Sequence, residues 1–475
     1  TDGIASTMIR TAVTLTGDSD DYQWVVFDGP VDALWIENMN TVLDDNKMLC
    51  LANGERIRLP GNMHVMFEVM DLAVASPATV SRCGMVYMEC VHVGLPPVVK
   101  TWQNTQVKNL LPKQSKRIGE MIIDHLPATM TFLDKECREL VPSVRLQLVE
   151  SFLSLLTTLL TPENGVESRY RRKERVAPVA AATEEGKGEE KGEEKGGDAL
   201  SDDVDDAEFE LELEMGASEA PKGAMSDDDL TRVVNMAYIF AFVWSFGGNV
   251  DDASRPKFNN FALGMLGSLV PDEAAGADLY SFFVDVPSRT LKPWSAMTRT
   301  FSFNPKASYF EILVPTQDTT RYAYLLRTLL GANRSVLFNG DTGVGKSVII
   351  ADTLNSMAEG DDSAFVNASV VFSAQTKSRN LQEIFETKLD KKRKNLLGPP
   401  AGKKMVLFID DLNMPALEVY GAQPPVELLR QVVDQKGFYD QAKLFFKAVA
   451  KTLFVAAAAP PGGGRNPITQ RCTRH

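Results

Sequence analysis

Cysteine is scarce. The 475 residues contain five, Cys50, Cys83, Cys90, Cys137 and Cys472. An odd number with no C-x-x-C argues against a disulfide framework or a cysteine zinc site, and points to a reducing, intracellular setting. Long apolar runs are missing too. The longest, 237–246, falls well short of the roughly 20 residues a membrane helix needs, so no membrane role is expected. No signal-peptide pattern opens the chain. Excess positive charge is absent: the formal net charge is −13, which speaks against nucleic acid as a partner. The chain has no initiator Met and stops at His475 within a motif, so it reads as a piece of something longer.

What is present centres on Gly340-Asp341-Thr342-Gly343-Val344-Gly345-Lys346-Ser347, a full G-x-x-x-x-G-K-[ST] phosphate loop. The apolar stretch 334–339 before it reads as a buried parallel strand, and 348–354 behind it as a helix. In that context backbone N–H groups face the phosphates, Lys346 supplies a mobile cation and Ser347 a magnesium ligand. The glycines let the backbone approach without a Cβ in the way. Further on, Met405-Val406-Leu407-Phe408-Ile409-Asp410-Asp411 reads as a strand ending in acids, the form of a Walker B element. Asp410 is expected to hold magnesium through water. Asp411 falls where a carboxylate orients the attacking water, one methylene shorter than Glu. An earlier strand, 23–28, ends the same way, with Asp28 as a magnesium ligand. Gly29 follows it and has no side chain to orient water, so hydrolysis at that element is expected to be absent or very slow. Arg82, after a strand and a proline turn, lies about where an arginine finger would sit.

Apolar content of 44% and charged content of 24% describe ordinary globular units, and the length calls for several of them. Helical spacing runs through 2–10, 33–45, 101–111, 116–126, 146–160, 230–246, 318–330 and 382–394. Strand patterns occupy 64–70, 280–286, 297–303, 363–372 and 453–458, and Asn53-Gly54 predicts a type I′ hairpin within 50–59. Gly247 reads as a left-handed cap, and the Lys/Arg cluster ending 382–394 suits a helix C-terminus. Residues 183–229 are acidic and low in complexity, and read as a disordered insertion.

An ordered series of motifs resembles the dynein heavy chains, AAA+ motors of cytoplasm and axoneme. It includes Phe27-Asp28-Gly29-Pro30-Val31-Asp32, Ser76-Pro77-Ala78-Thr79-Val80-Ser81-Arg82, Trp244-Ser245-Phe246-Gly247-Gly248 and Val314-Pro315-Thr316-Gln317-Asp318-Thr319. The phosphate loop, Phe408-Ile409-Asp410-Asp411-Leu412-Asn413-Met414-Pro415 and Pro460-Pro461-Gly462-Gly463-Gly464-Arg465-Asn466-Pro467 complete it. The resemblance implies an α/β AAA+ P-loop NTPase fold, a parallel sheet flanked by helices with a helical lid. Residues 1–95 correspond to the latter part of the second module's large subdomain. Residues 96–182 and 230–280 correspond to its lid, interrupted by the insertion, and 281–475 to most of the third module. It further implies ATP or ADP with Mg²⁺ in the third module, and Val314, Pro315 and Thr316 along the adenine. Arg82 would serve an absent first module, and Arg471 or Arg474 the second. Implied partners are neighbouring AAA+ modules, microtubules through an absent stalk, and intermediate and light chains through an absent tail. The implied setting is the cytoplasmic cytoskeleton, the axoneme of a cilium or flagellum above all. The rival readings are a nucleotide-holding module that never turns over, and a segment of another multi-module AAA+ remodelling ATPase.

Overall fold

The computed structural model describes residues 3–17, 20–89, 92, 94–107, 111–166, 225–301, 313–360 and 363–474. The chain forms two compact units. One comprises 1–92, 139–147 and 297–475; the other comprises 93–138 and 148–296. The expected insertion lies outside the described residues except for 225–229, of which Asp227, Asp228 and Asp229 begin a helix.

The first unit opens with the Ile4–Gly17 helix and four strands: β1 (Gln23–Asp28), β2 (Met48–Cys50), β3 (Arg56–Arg58) and β4 (Met63–Glu68). β1 runs parallel to β4, which sets Asp28 opposite Glu68 at the carboxyl ends. Ile9, Val25, Val42, Leu49, Ile57 and Met63 close a core between them. The β2–β3 hairpin is there, but not as a two-residue type I′ turn, because Gly54 alone takes a positive φ and Asn53 does not. Asn53 instead accepts a hydrogen bond from the Glu55 N–H, and Leu51 N–H closes a longer loop on Glu55 O. The 33–45 helix is broken into Ala33–Ile36, a 3₁₀ turn Glu37–Met39 and Asn40–Leu43.

The second unit is mainly helical, with Ser115–Glu136, most of Arg145–Leu159, Asp227–Phe246 and Arg255–Leu266. From Met236 to Phe246 the Asp227–Phe246 helix is buried on all sides, as a central helix must be. It starts earlier than the sequence pattern predicts. Ser226 caps it by accepting from the Asp229 N–H, and Asp227, Asp228 and Asp229 sit in the first turn, where the helix dipole favours them. Its end also differs. Gly247 has φ −99, not a left-handed value. Glycine is required by packing: a Cβ there would stand 2.0 Å from the Tyr280 hydroxyl and 2.6 Å from the Phe258 ring. That hydroxyl donates to Gly247 O at 2.9 Å. A hairpin, β5 (Phe282–Asp285) and β6 (Thr290–Pro293), belongs to this unit, which runs to Ala296. Residues 297–301 form no strand, and the rest of that expected strand is outside the described residues.

The remainder of the first unit carries β7 (Val336–Asn339), β8 (Phe365–Val371), β9 (Asp390–Arg393), β10 (Leu396–Gly398), β11 (Lys404–Asp410), β12 (Gly437–Tyr439), β13 (Phe446–Val449) and β14 (Thr452–Ala458). Four of them make an all-parallel sheet in the order β7-β14-β11-β8. Its two faces follow the strand period of two. Met405, Leu407 and Ile409 face Leu381, Phe385, Val426 and Leu429 of the Ser378–Lys388 and Pro424–Gln435 helices. Val406 and Phe408 face Leu326, Leu330, Ile350 and Leu354 of the Gln317–Gly331 and Lys346–Ala358 helices. Both faces of the central strands are covered, so β11 from Met405 to Ile409 and β14 from Leu453 onward are continuously apolar, while the edge strand β8 carries Asn367 and Ser369. The predicted 382–394 helix stops at Lys388. Lys391, Lys392 and Arg393 lie on β9, an exposed edge strand of the second sheet, β12-β13-β10-β9. Charge there discourages pairing with another strand, and it has nothing to do with a helix terminus.

Candidate functional site

Both motif segments leave the carboxyl ends of parallel strands, the edge at which open α/β sheets hold ligands. The phosphate loop follows β7 and runs straight into the Lys346–Ala358 helix. Gly340, Gly343 and Gly345 have φ of 155, 87 and 85, values that a side chain resists. Backbone conformation is what demands glycine here, since a Cβ at Gly343 or Gly345 would stand in open space. Asp341, Thr342 and Val344 are exposed between them. Gly345 opens the helix with no side-chain cap, which leaves its first N–H groups to the loop interior. The Lys346 ammonium lies within the loop, donating to Gly340 O at 2.8 Å and Asp341 O at 2.7 Å. Burial, joined by the Arg465 charge, pulls that ammonium below its usual value against the opposing pull of Asp410, Asp411 and Asp341. Ser347 sits half-buried in the first helical turn.

Asp410 ends β11, and its carboxylate accepts from the Asp411 N–H at 3.0 Å. Asp411 has φ 54, a left-handed value outside glycine, which turns the chain sharply after the strand. β14 lies between β7 and β11, so the segment after β14 falls between the loop and the acids. That segment brings in Arg465, which donates to Asp411 Oδ1 at 3.1 Å. Asn413 fastens the two stretches together. Buried, it donates to Ala459 O at 2.8 Å and Asn466 O at 2.9 Å, and Asn466 donates back to Pro415 O at 2.8 Å. Val314, Pro315 and Thr316 lead into the Gln317–Gly331 helix, where Thr316 is the cap in a reciprocal pair with Thr319; Val314 is exposed.

The other predicted residues stand apart from this group. Asp28, at the end of β1, is bound by two arginines of the same unit. Arg430 donates to its Oδ2 at 2.9 Å and to its backbone carbonyl at 3.0 Å, and Arg471 pairs with its Oδ1. Arg471 also reaches Glu68 O, while Glu427 accepts from Arg430 at 2.9 Å. Burial acts to raise the Asp28 carboxyl, but Arg430 and then Arg471 outweigh it and hold it below the usual carboxylate range. Arg474 is exposed, so of the two candidate arginines it is Arg471 that meets Asp28. Arg82 is exposed and donates to Ala78 O, one turn back. Sequence reasoning missed Arg430, Asn413 and the pairing of Arg465. The Gly-Gly-Gly-Arg-Asn-Pro spelling was the available signal for Arg465, and Asp-Asp-Leu-Asn-Met-Pro for Asn413; Arg430 looks like any helical arginine.

The loop residues fit a magnesium-bound polyphosphate. The helix start is uncapped, a lysine lies inside the loop, the space over the glycines is open, and two acids end a strand of the same sheet. Lys346 and the loop N–H groups would hold the phosphates, and Ser347 with Asp410 the magnesium. Among the described residues no cluster of His, Cys, Asp and Glu forms a separate metal site, and no helix is long and apolar enough to cross a membrane.

Comparison with known proteins adds a family. Residues 301–475 match the model for the P-loop containing dynein motor region, and 211–296 match that for the dynein heavy chain AAA lid domain. Dynein axonemal heavy chain 6 of Homo sapiens is 40% identical over 476 residues, covering 100% of this chain and 10% of that protein. Dynein axonemal heavy chain 1 of Homo sapiens is 37% identical over 497 residues, again 100% and 10%. Dynein axonemal heavy chain 2 of Mus musculus is 35% identical over 472 residues, 99% and 9%. The chain thus spans about a tenth of the length of the curated relatives it matches.

Proposed function

This chain belongs to the dynein heavy chain family, and from that membership we propose that it is a nucleotide-binding stretch of an axonemal motor ring. Its parts are the latter portion of the second module, the lid of that module and most of the third. The third module takes Mg-ATP or Mg-ADP as a regulatory site. The observation that carries this reading is the loop itself: three glycines at positive φ, an uncapped helix start and Lys346 folded inside. Magnesium, when bound, supplies charge neutralisation and orientation of the phosphates. Lys346 and the loop N–H groups grip the phosphates, Ser347 and Asp410 hold the ion, and Val314, Pro315 and Thr316 border the base. Asp411 is the group that would orient water, and Arg82 and Arg471 would act across module boundaries.

In the whole protein, this site would modulate a ring that couples ATP hydrolysis to minus-end-directed movement on microtubules in a cilium or flagellum. Neighbouring modules, microtubules, and intermediate and light chains would be its partners. The test is a titration of a fluorescent ADP into the chain with Mg²⁺ present. Saturable binding that Lys346→Ala abolishes is the expected result; equal affinity in that variant overturns the site. A second reading, nucleotide held without turnover, draws support from the Arg465–Asp411 pair, which occupies the water-orienting carboxylate.

A further inference from the structure

Past Asp410 the chain leaves β11 through a strained turn. Asp411 has φ 54, a left-handed value that a side chain resists and that persists only where the surroundings enforce it. The backbone enforces it in part. Phe372 N–H donates to Asp410 O at 2.9 Å from the β8 side, Leu412 N–H to Ala457 O at 2.9 Å on the β14 side, and Met414 N–H closes the turn on Asp411 O at 3.0 Å. The rest falls to Asn413, whose residue is 1% exposed. Its side-chain amide donates to Ala459 O at 2.8 Å and to Asn466 O at 2.9 Å, 46 and 53 positions away. Its backbone carbonyl accepts from the Asn466 N–H at 2.9 Å. Asn466 donates through its own amide to Pro415 O at 2.8 Å, where Gln423 also donates at 2.7 Å. Asn413 Oδ1, in contrast, is buried with no hydrogen-bond partner among the described residues. An acceptor buried that way is unfavourable, so the side chain is there for its two donors. Aspartate has the same shape and no donor; leucine has neither donor nor acceptor.

We propose that Asn413 is a positioning residue for the magnesium end of the nucleotide site: by tying the acid-bearing turn to the segment after β14, it holds Asp410 and Asp411 in place for a phosphate-bound magnesium. The inference rests on the nucleotide-site reading above and assigns that site the residue that steadies its acids. The Asp410 carboxylate accepts from the Asp411 N–H at 3.0 Å, so the conformation of Asp411 sets the direction of both acids. Without the Asn413 amide, Ala459 O and Asn466 O lose a donor, the turn is free to relax toward negative φ, and the Asp411 N–H leaves Asp410. Lys346 is fixed separately, by Gly340 O and Asp341 O, and its grip on the phosphates does not depend on Asn413. The contribution of Asn413 is therefore specific to the metal. Groups that orient a ligating carboxylate from outside matter to affinity: losing one typically weakens metal binding by roughly 10–100-fold.

Equilibrium titration of the full chain with a non-hydrolysable ATP analogue, once with Mg²⁺ and once with EDTA, tests this. Asn413→Ala should lose about tenfold in affinity with Mg²⁺, the low end of that range, and stay within about twofold without it. Retained metal-free affinity also certifies that the variant is folded. Asn413→Asp, which keeps the shape and gives up both donors, should lose at least as much. Asn413→Ser, which keeps one donor, should recover a portion of the loss. Asp410→Ala should remove the gain that Mg²⁺ brings, and adding Asn413→Ala to it should cost nothing further, because the one acts through the other. Equal losses with and without Mg²⁺, no loss under either condition, or a full further loss in the double variant overturns the positioning role. A wild-type affinity indifferent to Mg²⁺ overturns it as well. A wild-type chain that does not bind the analogue, or Lys346→Ala that binds it normally, defeats the nucleotide-site reading itself and this inference with it.

Discussion

Four charged side chains, Asp28, Arg430, Arg471 and Glu427, form one network in the first unit, and Arg430 is only 6% exposed. Removing one member of such a set strands the others away from water, so Arg430→Met should destabilise the unit by about 3 kcal/mol in a urea titration. The network also carries a pH signature. The folded-state carboxyl of Asp28 is held below its ordinary value. Its contribution is therefore complete above the unfolded-state value of about 4, and it fades as pH falls through the lower folded value. The stability gap between wild type and Asp28→Asn should be flat from about pH 5 to 8 and shrink below about pH 4. A gap that grows on acidification contradicts the assignment. The same network bears on what the sequence made legible. An Asp ending an apolar strand spells a magnesium ligand whether or not arginines fill the place, because those arginines lie some four hundred positions later and nothing local announces them. That Lys346 and Ser347 open a helix after one strand, and that Asp410 and Asp411 stand at the end of another, was legible because each of these two motifs is a local strand-end pattern.

At the scale of elements, glycines act through two different causes. At Gly345 the cause is the left-handed φ of 85, so Gly345→Ala should cost about 1–2 kcal/mol without any clash. At Gly247 the cause is a tyrosine hydroxyl in the space of the missing Cβ. Gly247→Ala should lower the thermal midpoint of the second unit, at a cost of about 1–3 kcal/mol. An unchanged midpoint means that Tyr280 gives way freely. The sequence pattern located both glycines but assigned the second to a helix cap, since W-S-F-G-G ends a helix in spelling and the Tyr280 contact comes from 33 residues away. The central parallel strands β11 and β14 were legible for a related reason: covered on both faces, they are apolar over most of their length. The small sheet of β9, β10, β12 and β13 was not, because its strands are three or four residues long and one is entirely charged. Periodicity has no purchase on such segments.

Across the whole molecule, two units carry different work. The helical unit is built around one buried helix and contributes no charged group to the motif set. The α/β unit gathers phosphate loop, acids and Arg465 at one sheet edge, and holds Asp28 with its arginines as a second charged centre. A catalytic arginine from a neighbouring module accelerates related phosphoryl transfers by ~10³–10⁵. The 475-residue chain supplies none to its own loop under the proposed ring order, so single-turnover hydrolysis at this loop should be slower than at the same loop within the full heavy chain by a factor in that range. Equal rates would mean that the chain completes its own site. Hydrogen–deuterium exchange with and without Mg-ATP reports whether a magnesium nucleotide is seated in the loop. Protection is expected at Gly340–Ser347, the first turn of the following helix and the Asp410–Asp411 segment, all of it lost in Lys346→Ala. Nucleotide binding that leaves those amides unprotected, or protects them equally in Lys346→Ala, would contradict that seating.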